Sequence, residues 1–410
     1  MSAAPVYIRG VGAQTPLGRR WPETLAALSA GKSAIARIRS FDATGYPCTV
    51  AAAIDFEVAD ADRGGDRRLS LLLPAMAEAL HAADLDLRCV PPERLGVFIG
   101  AESGRAPMRT VLELCQAAKS EGSTAFDHVR FGRAGAAFAQ GQPAFSLLMS
   151  PAAVAQAVAA AYGAGGPVQT FSLACASSAA AIAEAVRAVR LGRCDVALCG
   201  GVGADIEPLM LAGFGKLGAL SLRGESCPFD LRRDGFVVGE GAAAFVLSRE
   251  PGPDRIALVG AGRSLDAHHL TAPDPDGAGA ERAMRAALLE AGAQSVDYIQ
   301  AHGTSTPLND AVEALALRRV LGSSLERAAV SSVKGALGHW VAGAGALGLA
   351  CAYEAVRSGT CLPTAGLREP DPRCDLPHLL KTSQRPVERA LVNAFAFGGA
   401  NCSLVVQRCL

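Results

Sequence analysis

The sequence predicts an α/β protein in two similar halves, with a mainly parallel sheet at its core. Short β-rich runs alternate with longer alanine-rich helical stretches along the 410 residues, which is the pattern of strand–helix–strand units. The predicted strands carry almost no charge, as expected for strands that are buried on both faces. A weak internal repeat, at a spacing far longer than that of a solenoid, indicates the two halves.

The predicted strands are short apolar runs, and most of them end near a glycine or another small residue. They cover residues 6–11, 95–99, 168–173, 196–199 and 296–300. The predicted helices are longer stretches rich in alanine and leucine. They cover residues 22–30, 71–83, 151–162, 177–191 and 279–291. In such a protein, the loops at the strand ends are where functional residues are expected.

The internal repeat divides the chain near residue 250. The segment VYIRGVGA, which begins at Val6, resembles IALVGAGR, which begins at Ile256. Residues 168–199 and 329–361 both contain a strand, a small-residue loop and an alanine- or glycine-rich helix. We therefore predict two domains, residues 1–250 and residues 255–410. Pro251, Gly252 and Pro253 form the clearest linker between them.

Composition and charge exclude several classes of protein. Lys plus Arg and Asp plus Glu both number 39, whereas a protein that binds bare nucleic acid is usually basic. No apolar run approaches the roughly 20 residues that span a bilayer. The first residues show no basic segment followed by an apolar one, as a secretion signal would. We expect a cytoplasmic protein with neither nucleic acid nor membrane as a partner.

One of the twelve cysteines stands in a distinctive place. No CxxC pair occurs and no histidine stands at finger-like spacing, so a structural zinc site is not expected. Most cysteines should be reduced, buried packing residues. Cys175, in TFSLACASSAA, lies between a predicted strand and a predicted helix. Because a helix N-terminus favours negative charge, this thiol is a candidate nucleophile, although a core position would also suit it.

The second half supplies candidate partners for that thiol. His302 follows a predicted strand, and Glu313 lies in the helix after it. His339 follows Lys334 in a glycine-rich loop, and Lys334 is one of only five lysines in the chain. Each histidine could instead be a structural core residue. The run NAFAFGGAN, residues 393–401, indicates a loop of backbone donors or a gate, or else a buried turn between strands.

These residues together resemble the elongating β-ketoacyl-acyl carrier protein synthases, which carry a Cys-His-His triad. The resemblance rests on Cys175, His302, Lys334, His339 and the triplet FGG at 397–399. It extends to PFDLRRDGFVVGEG at 228–241, DAHHLTAP at 266–273 and GGVGA at 200–204 with the following GF and ALS. The motifs keep the family's order from about residue 5 to the end. The resemblance implies the thiolase fold, a five-layered αβαβα arrangement of two α/β halves.

The resemblance also implies a reaction. Cys175 would take an acyl group from the phosphopantetheine of an acyl carrier protein. A malonyl carrier protein would then lose carbon dioxide and attack the acyl-cysteine, which extends a fatty-acid or polyketide chain by two carbons. The backbone N–H groups of Cys175 and Phe397 would form an oxyanion hole. His302 and His339, both neutral, would hydrogen-bond the malonyl thioester carbonyl.

Other positions take supporting roles by the same resemblance. Lys334 would pair with Glu313 and hold the histidine loop. The positions that match the pantetheine-binding and gate residues are Thr271, Thr304, Thr306, Phe397, Gly398 and Gly399. No metal and no cofactor is implied beyond the pantetheine of the carrier protein.

The implied partners are an acyl carrier protein and a second subunit. Because carrier proteins are acidic, their docking face needs basic residues, and the candidates are Arg67, Arg68, Arg130 and Arg133. The family implies a homodimer, although a heterodimer with a chain-length-factor-like subunit is an alternative.

Two departures from the family pattern and two rival functions qualify this interpretation. Ala396 replaces the glycine that usually precedes the gating phenylalanine, which predicts a stiffer gate. Residues 100–105, GAESGR, are unusually polar for a segment that lines an acyl pocket.

The rival functions are a thiolase-type acyltransferase, for which Cys402 would be the second cysteine, and a non-catalytic chain-length-factor-like protein. Cys402 follows the glycines instead of preceding them, and a chain-length factor characteristically lacks the nucleophile.

Overall fold

The computed structural model describes residues 4–56, 58, 66–106, 108–119, 125–141 and 149–409. The strands are β1 (Val6–Gln14), β2 (Ile35–Arg37), β3 (Val50–Ala52), β4 (Leu95–Gly100), β5 (Val168–Phe171), β6 (Val196–Ala204), β7 (Glu240–Ser248), β8 (Ile256–Leu265), β9 (Tyr298–Gln300), β10 (Ala329–Ser331), β11 (Thr360–Cys361), β12 (Ser383–Gln384), β13 (Arg389–Phe395) and β14 (Ala400–Arg408). The helices are α1 (Trp21–Ser29), α2 (Arg67–Ala83), α3 (Met108–Ala117), α4 (His128–Gly141), α5 (Ala152–Tyr162), α6 (Ser177–Arg190), α7 (Pro208–Lys216), α8 (Ala278–Glu290), α9 (Asn309–Leu321), α10 (Lys334–Leu337) and α11 (Ala344–Ser358).

Ten strands form one sheet of two matching halves, in the order β10-β9-β13-β14-β8-β1-β7-β6-β4-β5. In the first half, β4 runs parallel to β5 and β6, and β7 runs antiparallel to β6 and β1. The second half repeats this scheme with β9, β10, β13, β14 and β8. The repeat between residues 6 and 256 is therefore confirmed, because β1 and β8 occupy equivalent places. The two halves join where β1 pairs with β8.

The prediction of a mainly parallel sheet is wrong, because the sheet is mixed. Only the neighbours of β4 and β9 are parallel pairs. The next strand of the chain after β6 is β7, and it pairs antiparallel with β6. In the same way, β14 pairs antiparallel with β13. The alternation of strand and helix in a sequence does not show which connections cross over to a parallel neighbour and which return.

Two helices, α6 and α11, fill the space between the two halves of the sheet. Their small residues are almost all buried, and in α11 every residue from Ala344 to Val356 is. The close approach requires glycine at Gly345, where a Cβ atom would lie 2.8 Å from the backbone nitrogen of Ala179. Helices α2 and α5 cover the outer face of the first half, and α8 and α9 cover that of the second. The layers are thus αβαβα, and the predicted thiolase fold is confirmed.

The predicted elements begin and end within five residues of those observed, and the largest difference is at β6, which continues to Ala204 where an end at Cys199 was predicted. Strand β5 is the edge strand, and Val168 is 37% exposed, so the expectation that β5 is buried on both faces is wrong.

All twelve cysteines are free and nine are buried, as expected for packing residues. In the described part of the chain, every helix is too short or too polar to cross a bilayer. The domain boundary at residues 250–255 stays a prediction.

Candidate active site

The loop between β5 and α6 presents Cys175 at the end of a sharp turn. Ala174 has a φ of 45°, in the left-handed region that non-glycine residues rarely adopt. The Ser177 side chain holds this turn, because its hydroxyl donates to the carbonyl of Ala174 (2.6 Å) and accepts from the N–H of Leu173 (2.8 Å). Helix α6 begins two residues after Cys175. The predicted placement of the thiol at a helix start is confirmed.

Three loops from the second half meet at Cys175. His302 follows β9, His339 follows β10 and α10, and Phe397 lies between β13 and β14. The Nε2 atom of His339 lies 3.0 Å from the Cys175 sulfur. The sulfur and one ring nitrogen of each histidine lie within 4.8 Å of one another. The structure thus brings together the three residues that the sequence singled out.

The hydrogen bond on the far side of the His339 ring fixes its tautomer. The backbone N–H of Val341 donates to Nδ1 at 3.3 Å, so Nδ1 acts as an acceptor. In a neutral imidazole the proton then resides on Nε2, which faces the thiol. His339 therefore presents an N–H donor to the Cys175 sulfur and to any group that occupies its place.

Burial and neighbouring donors act in opposite directions on the thiol. Burial raises the pKa of Cys175 to about 12, while the Lys334 charge and the backbone N–H of Phe397 lower it. The expectation that the helix start alone would favour a thiolate is therefore incomplete. The N–H groups of Cys175 and Phe397 face the sulfur, and neither donates to another acceptor in the described part of the chain. Both amides are available to an oxyanion, as predicted.

Both histidines are neutral. Burial and the charge of Lys334 hold the pKa values of His302 and His339 well below the usual value for an imidazole. His302 is 2% exposed and His339 is 1% exposed, so solvent does not relieve this effect. Two buried neutral imidazoles beside a thiol can donate hydrogen bonds to a developing negative charge without protonating a carbanion.

Glu313 and Lys334 fix the backbone of the His302 loop, although not through the predicted ion pair. The carboxylate of Glu313 accepts the N–H groups of His302 and Gly303, both at 2.8 Å, and Asn393 Nδ2 at 3.0 Å. The ammonium of Lys334 donates to the carbonyl of His302, and no ion pair joins it to Glu313 in the described chain. The prediction that the two side chains bond directly is wrong, because each one satisfies a backbone group of the loop.

Asp310 is a site residue that the sequence analysis did not single out. Its buried carboxylate accepts the N–H groups of Thr304 (3.0 Å), Ser305 (3.1 Å) and Phe229 (2.8 Å). Ser305 has a φ of 71°, so these hydrogen bonds hold a strained loop. The Thr304 and Thr306 hydroxyls bond each other at 3.0 Å and face the cavity. The position of Asp310 at the start of α9 was the available signal.

The gate loop is tied to the segment that contains Thr271. The N–H of Gly398 donates to the carbonyl of Leu270 at 2.7 Å, and the carbonyl of Gly399 accepts from Asp266 at 2.9 Å. Gly398 and Gly399 have φ values of 82° and 77°, which glycine tolerates without strain. Ala396 has a φ of −121°, an extended conformation that suits alanine. In this arrangement of the loop, the replacement of glycine at 396 is therefore without strain.

A single cavity of about 260 Å³ joins the site to the surface. Cys175 and both histidines line it, and so do the predicted pantetheine and gate positions except Gly398 and Gly399, which are not among its lining residues. The cavity is lined by Thr271, Thr304, Thr306 and Phe397, with Phe236, Phe395 and Leu308 among the apolar residues. The cavity has the position that a long, flexible thioester arm needs to reach the thiol.

Three of the four proposed docking arginines already pair with an acidic side chain, and two of those three are buried or only partly exposed. Arg68 is 5% exposed and bonds Asp66 at 2.8 Å, so the prediction that it docks a partner is wrong. Arg67 bonds Glu240 at 2.8 Å and is only partly exposed. Arg130 and Arg133 lie on the exposed surface of α4, where Arg130 pairs with the exposed Asp127 at 3.7 Å. The sequence could not show that Glu240, far along the chain, would bind Arg67 or that Asp66 would bind Arg68.

Comparison with known proteins gives one consistent result. Models of the "Beta-ketoacyl synthase, N-terminal domain" and "C-terminal domain" match residues 3–251 and 256–368. The chain is 34% identical to the 3-oxoacyl-[acyl-carrier-protein] synthase 2 of Synechocystis sp., over 98% of each chain. It also resembles the ketosynthase in a type II polyketide complex with its acyl-carrier protein and a hexaketide, at 26% identity, with a TM-score of 0.83 and coverage of 99% and 100%. A third relative is the ketosynthase complex with its chain length factor from Xenorhabdus doucetiae, at 27% identity, with a TM-score of 0.81 and coverage of 99% and 98%.

Proposed function

The chain belongs to the β-ketoacyl synthase family, and from this premise we propose how its residues carry out the reaction. It is an acyltransferase that extends an acyl chain by decarboxylative condensation with a malonyl unit, in fatty-acid or polyketide synthesis. The observation that carries the assignment is a buried cysteine whose sulfur lies within 4.8 Å of two histidine ring nitrogens, in one cavity that all three residues line.

In the first half-reaction, the Cys175 sulfur attacks the carbonyl of the incoming acyl thioester. The C–S bond to Cys175 forms as the bond to the carrier sulfur breaks, and the S–H proton is transferred to the carrier thiolate that departs. The oxyanion of the tetrahedral intermediate points to the N–H groups of Cys175 and Phe397, and each such donor is typically worth about 3 kcal/mol. Collapse of the intermediate leaves the acyl group on sulfur.

In the second half-reaction, the carbonyl of the malonyl thioester lies against the Nε2–H of His339 and the ring of His302. Breakage of the bond to the carboxylate releases carbon dioxide and leaves its electron pair on the thioester as an enolate. The two neutral imidazoles stabilise the enolate oxygen, and the enolate carbon attacks the acyl carbonyl on Cys175. Cleavage of the C–S bond then releases the β-ketoacyl product and a Cys175 thiolate, which takes up a proton from solvent and returns to the thiol.

We propose that this chemistry needs no metal or further cofactor. A thiol and two imidazoles can also bind zinc, but a metal requires a lone pair from each ligand. Because the Val341 N–H occupies Nδ1 of His339, the nitrogen that faces the sulfur carries a proton and has no lone pair to offer.

The test is condensation of acyl- and malonyl-carrier proteins, with intact-mass and peptide analysis of the acyl-enzyme. We expect one acyl group on the Cys175 peptide, a product two carbons longer, and the same rate after dialysis against EDTA. Acylation of another cysteine, or a rate that EDTA removes and zinc restores, would contradict the assignment. A protein that acylated no cysteine would favour the chain-length-factor-like alternative.

The acyl group is a further part of the proposal. Glu102 bonds the turn that carries Cys175, Arg105 pairs with Asp205 at 2.6 Å, and Asp205 Oδ2 is buried without a hydrogen-bond partner in the described structure. We propose that these polar residues form a wall of the acyl pocket, which would suit an unsaturated or aryl chain better than a saturated one. In the same mass-spectrometric assay, a panel of carrier-bound primers in which saturated acyl groups reacted best would contradict this specificity.

We propose that an acidic carrier protein docks on the basic surface of α4. Replacing Arg130 and Arg133 together with glutamate is expected to raise the KM for carrier-bound substrate by about tenfold, because opposite charges steer docking. The kcat for a small thioester should not change. Arg88→Glu is the matched control, since its exposed side chain pairs with Asp86 elsewhere on the surface. An unchanged KM in the double variant would place docking on another surface.

We also propose that a second copy of the chain covers edge strand β5. Val168 and Leu173 are 37% and 42% exposed, and the described residues of α3 and α4 nearby in the sequence include none that is buried. An exposed edge strand is a template for pairing. Sedimentation velocity should give a dimer, and a stable monomer would contradict the proposal. A dimer that formed only with a different subunit would favour the chain-length-factor alternative.

A further inference from the structure

We propose that Glu102 is a positioning residue for the nucleophile: it holds the turn before Cys175 and places a negative charge beside the thiol. Glu102 follows β4 by two residues and lies outside the Cys-His-His set. The inference rests on the proposed role of Cys175 as the nucleophile.

The carboxylate of Glu102 binds the turn through both of its oxygens. Oε1 accepts the N–H of Ala174 at 3.0 Å, and Oε2 accepts the hydroxyl of Ser172 at 2.8 Å. The hydroxyl of Ser177 lies 3.4 Å from Oε1. Glu102 forms no ion pair in the described chain, and the nearby Arg105 instead bonds Asp205 at 2.6 Å. The hydrogen bonds to the turn therefore place this carboxylate next to the nucleophile.

The turn needs such a partner because Ala174 is strained. A non-glycine residue at a φ of 45° persists only where its surroundings hold it. Ser177 binds the carbonyl of Ala174 from one side, and Glu102 binds its N–H from the other. If the N–H lost its acceptor, the turn could relax and the sulfur would move relative to His339.

The charge of Glu102 opposes that of Lys334 at the thiol. The charged and titratable groups that face Cys175 are Lys334 from α10, His302 and His339 from their loops, and Glu102 from the loop after β4. Both histidines are neutral, so two charges remain. The Lys334 ammonium lowers the pKa of Cys175 and the Glu102 carboxylate raises it. Glu102 therefore keeps the thiol less reactive toward solvent electrophiles.

Glu102→Gln separates the charge from the hydrogen bond, because the amide oxygen can still accept from Ala174. We measure alkylation of Cys175 by iodoacetamide from pH 6 to 9, following the Cys175 peptide. If the thiol pKa falls by about one unit, the thiolate fraction rises about tenfold and its nucleophilicity falls about threefold, so alkylation should be about threefold faster at each pH. A merely structural role would not produce this gain. The control is Glu113→Gln, on the exposed face of α3, which should alkylate as the natural protein does.

Ala174→Gly tests the strain, because glycine adopts a positive φ at no cost. Glu102→Ala removes both the charge and the acceptor and should slow enzyme acylation by about tenfold, as expected for a misplaced nucleophile. In the double variant, Glu102→Ala with Ala174→Gly, the acylation rate should recover at least half of that tenfold loss, measured on a logarithmic scale. Ala174→Gly alone should leave acylation within about twofold. No rescue would show that Glu102 does not act through the turn.

The outcomes separate this inference from the proposed function. If the natural protein acylates Cys175 and condenses, but Glu102→Gln alkylates at the natural rate, the charge role is wrong and the function stands. If Cys175 carries no acyl group in the natural protein, the proposed function itself fails. Circular dichroism and thermal unfolding of each variant show whether it is folded, and Glu102→Gln keeps the shape of the side chain.

Discussion

Cys175→Ala is expected to lower the rate of condensation by about a thousandfold or more, because Cys175 is the only thiol among the described residues that line the cavity. The fold should survive, since alanine fits where a buried cysteine was and the stability cost should be about 1 kcal/mol. The measurement is product formation from acyl- and malonyl-carrier proteins, together with the mass of the enzyme after incubation with the acyl donor alone. The variant should stay unacylated.

Cys402→Ala is the matched control, because Cys402 is also buried but lies in β14. It should retain acylation and condensation within about threefold, as a conservative substitution in the core does. Equal loss in both variants would indicate a second catalytic cysteine and would favour a thiolase-type reaction. Retention of condensation in Cys175→Ala would contradict the proposed mechanism altogether.

The residue types of the site could be predicted from the sequence because the chemistry restricts them. A nucleophile at a strand–helix junction and two histidines after strands leave few alternatives, and the ends of β5, β9 and β10 do lie at one cavity. The contacts between supporting residues could not be predicted. Glu313 and Lys334 have opposite charge and were expected to bond each other, yet the backbone of the His302 loop offers each of them a partner of its own.

Other features of the structure could not be predicted from the sequence because they depend on which residues come into contact. Arg68 looked like a surface charge because nothing in a sequence shows that Asp66, two residues earlier, both caps α2 and binds the guanidinium. Glu102 was noted only as an unusual polar residue, because its partners are backbone and hydroxyl groups some 70 residues away in the chain. The mixed sheet escaped prediction for a related reason, since strand direction depends on pairing and not on composition.

Lys334→Met is expected to be the most damaging substitution outside the triad. It removes the buried cation that lowers the pKa values of His302 and His339 and of the Cys175 thiol. All three pKa values should rise. Less thiolate is then present at neutral pH, and the histidines become charged at a higher pH than before. Condensation should fall about a hundredfold, within the range that electrostatic and positioning groups contribute.

The direction in which the pH profile of the rate moves distinguishes the loss of the Lys334 charge from a steric effect of the substitution. In the natural protein the histidines stay neutral well below pH 6.5, so they contribute no loss of rate as the pH falls through 6.5. Without the Lys334 charge their pKa values move toward the usual value, and the acid limb of the rate profile should move to higher pH. The measurement is kcat/KM between pH 5 and 8 with a small thioester, which avoids titration of the carrier protein. A uniform loss of rate with an unshifted limb would indicate a steric effect only.

The free energy of unfolding tests the roles of Lys334 and Glu313 independently of the reaction rate. Glu313 is fully buried and Lys334 is 5% exposed. They form no direct ion pair in the described part of the chain, but burial lowers the pKa of Lys334 and the charge of Glu313 opposes that effect, so removing either charge leaves the other less compensated. Each single variant, Lys334→Met or Glu313→Gln, should lower the free energy of unfolding by about 3 kcal/mol. The double variant should be less destabilised than the sum of the two, by about 1–3 kcal/mol, because it leaves no lone charge in the core. Additive losses in urea unfolding would mean that Lys334 and Glu313 hold the His302 loop independently, each through its own backbone hydrogen bonds.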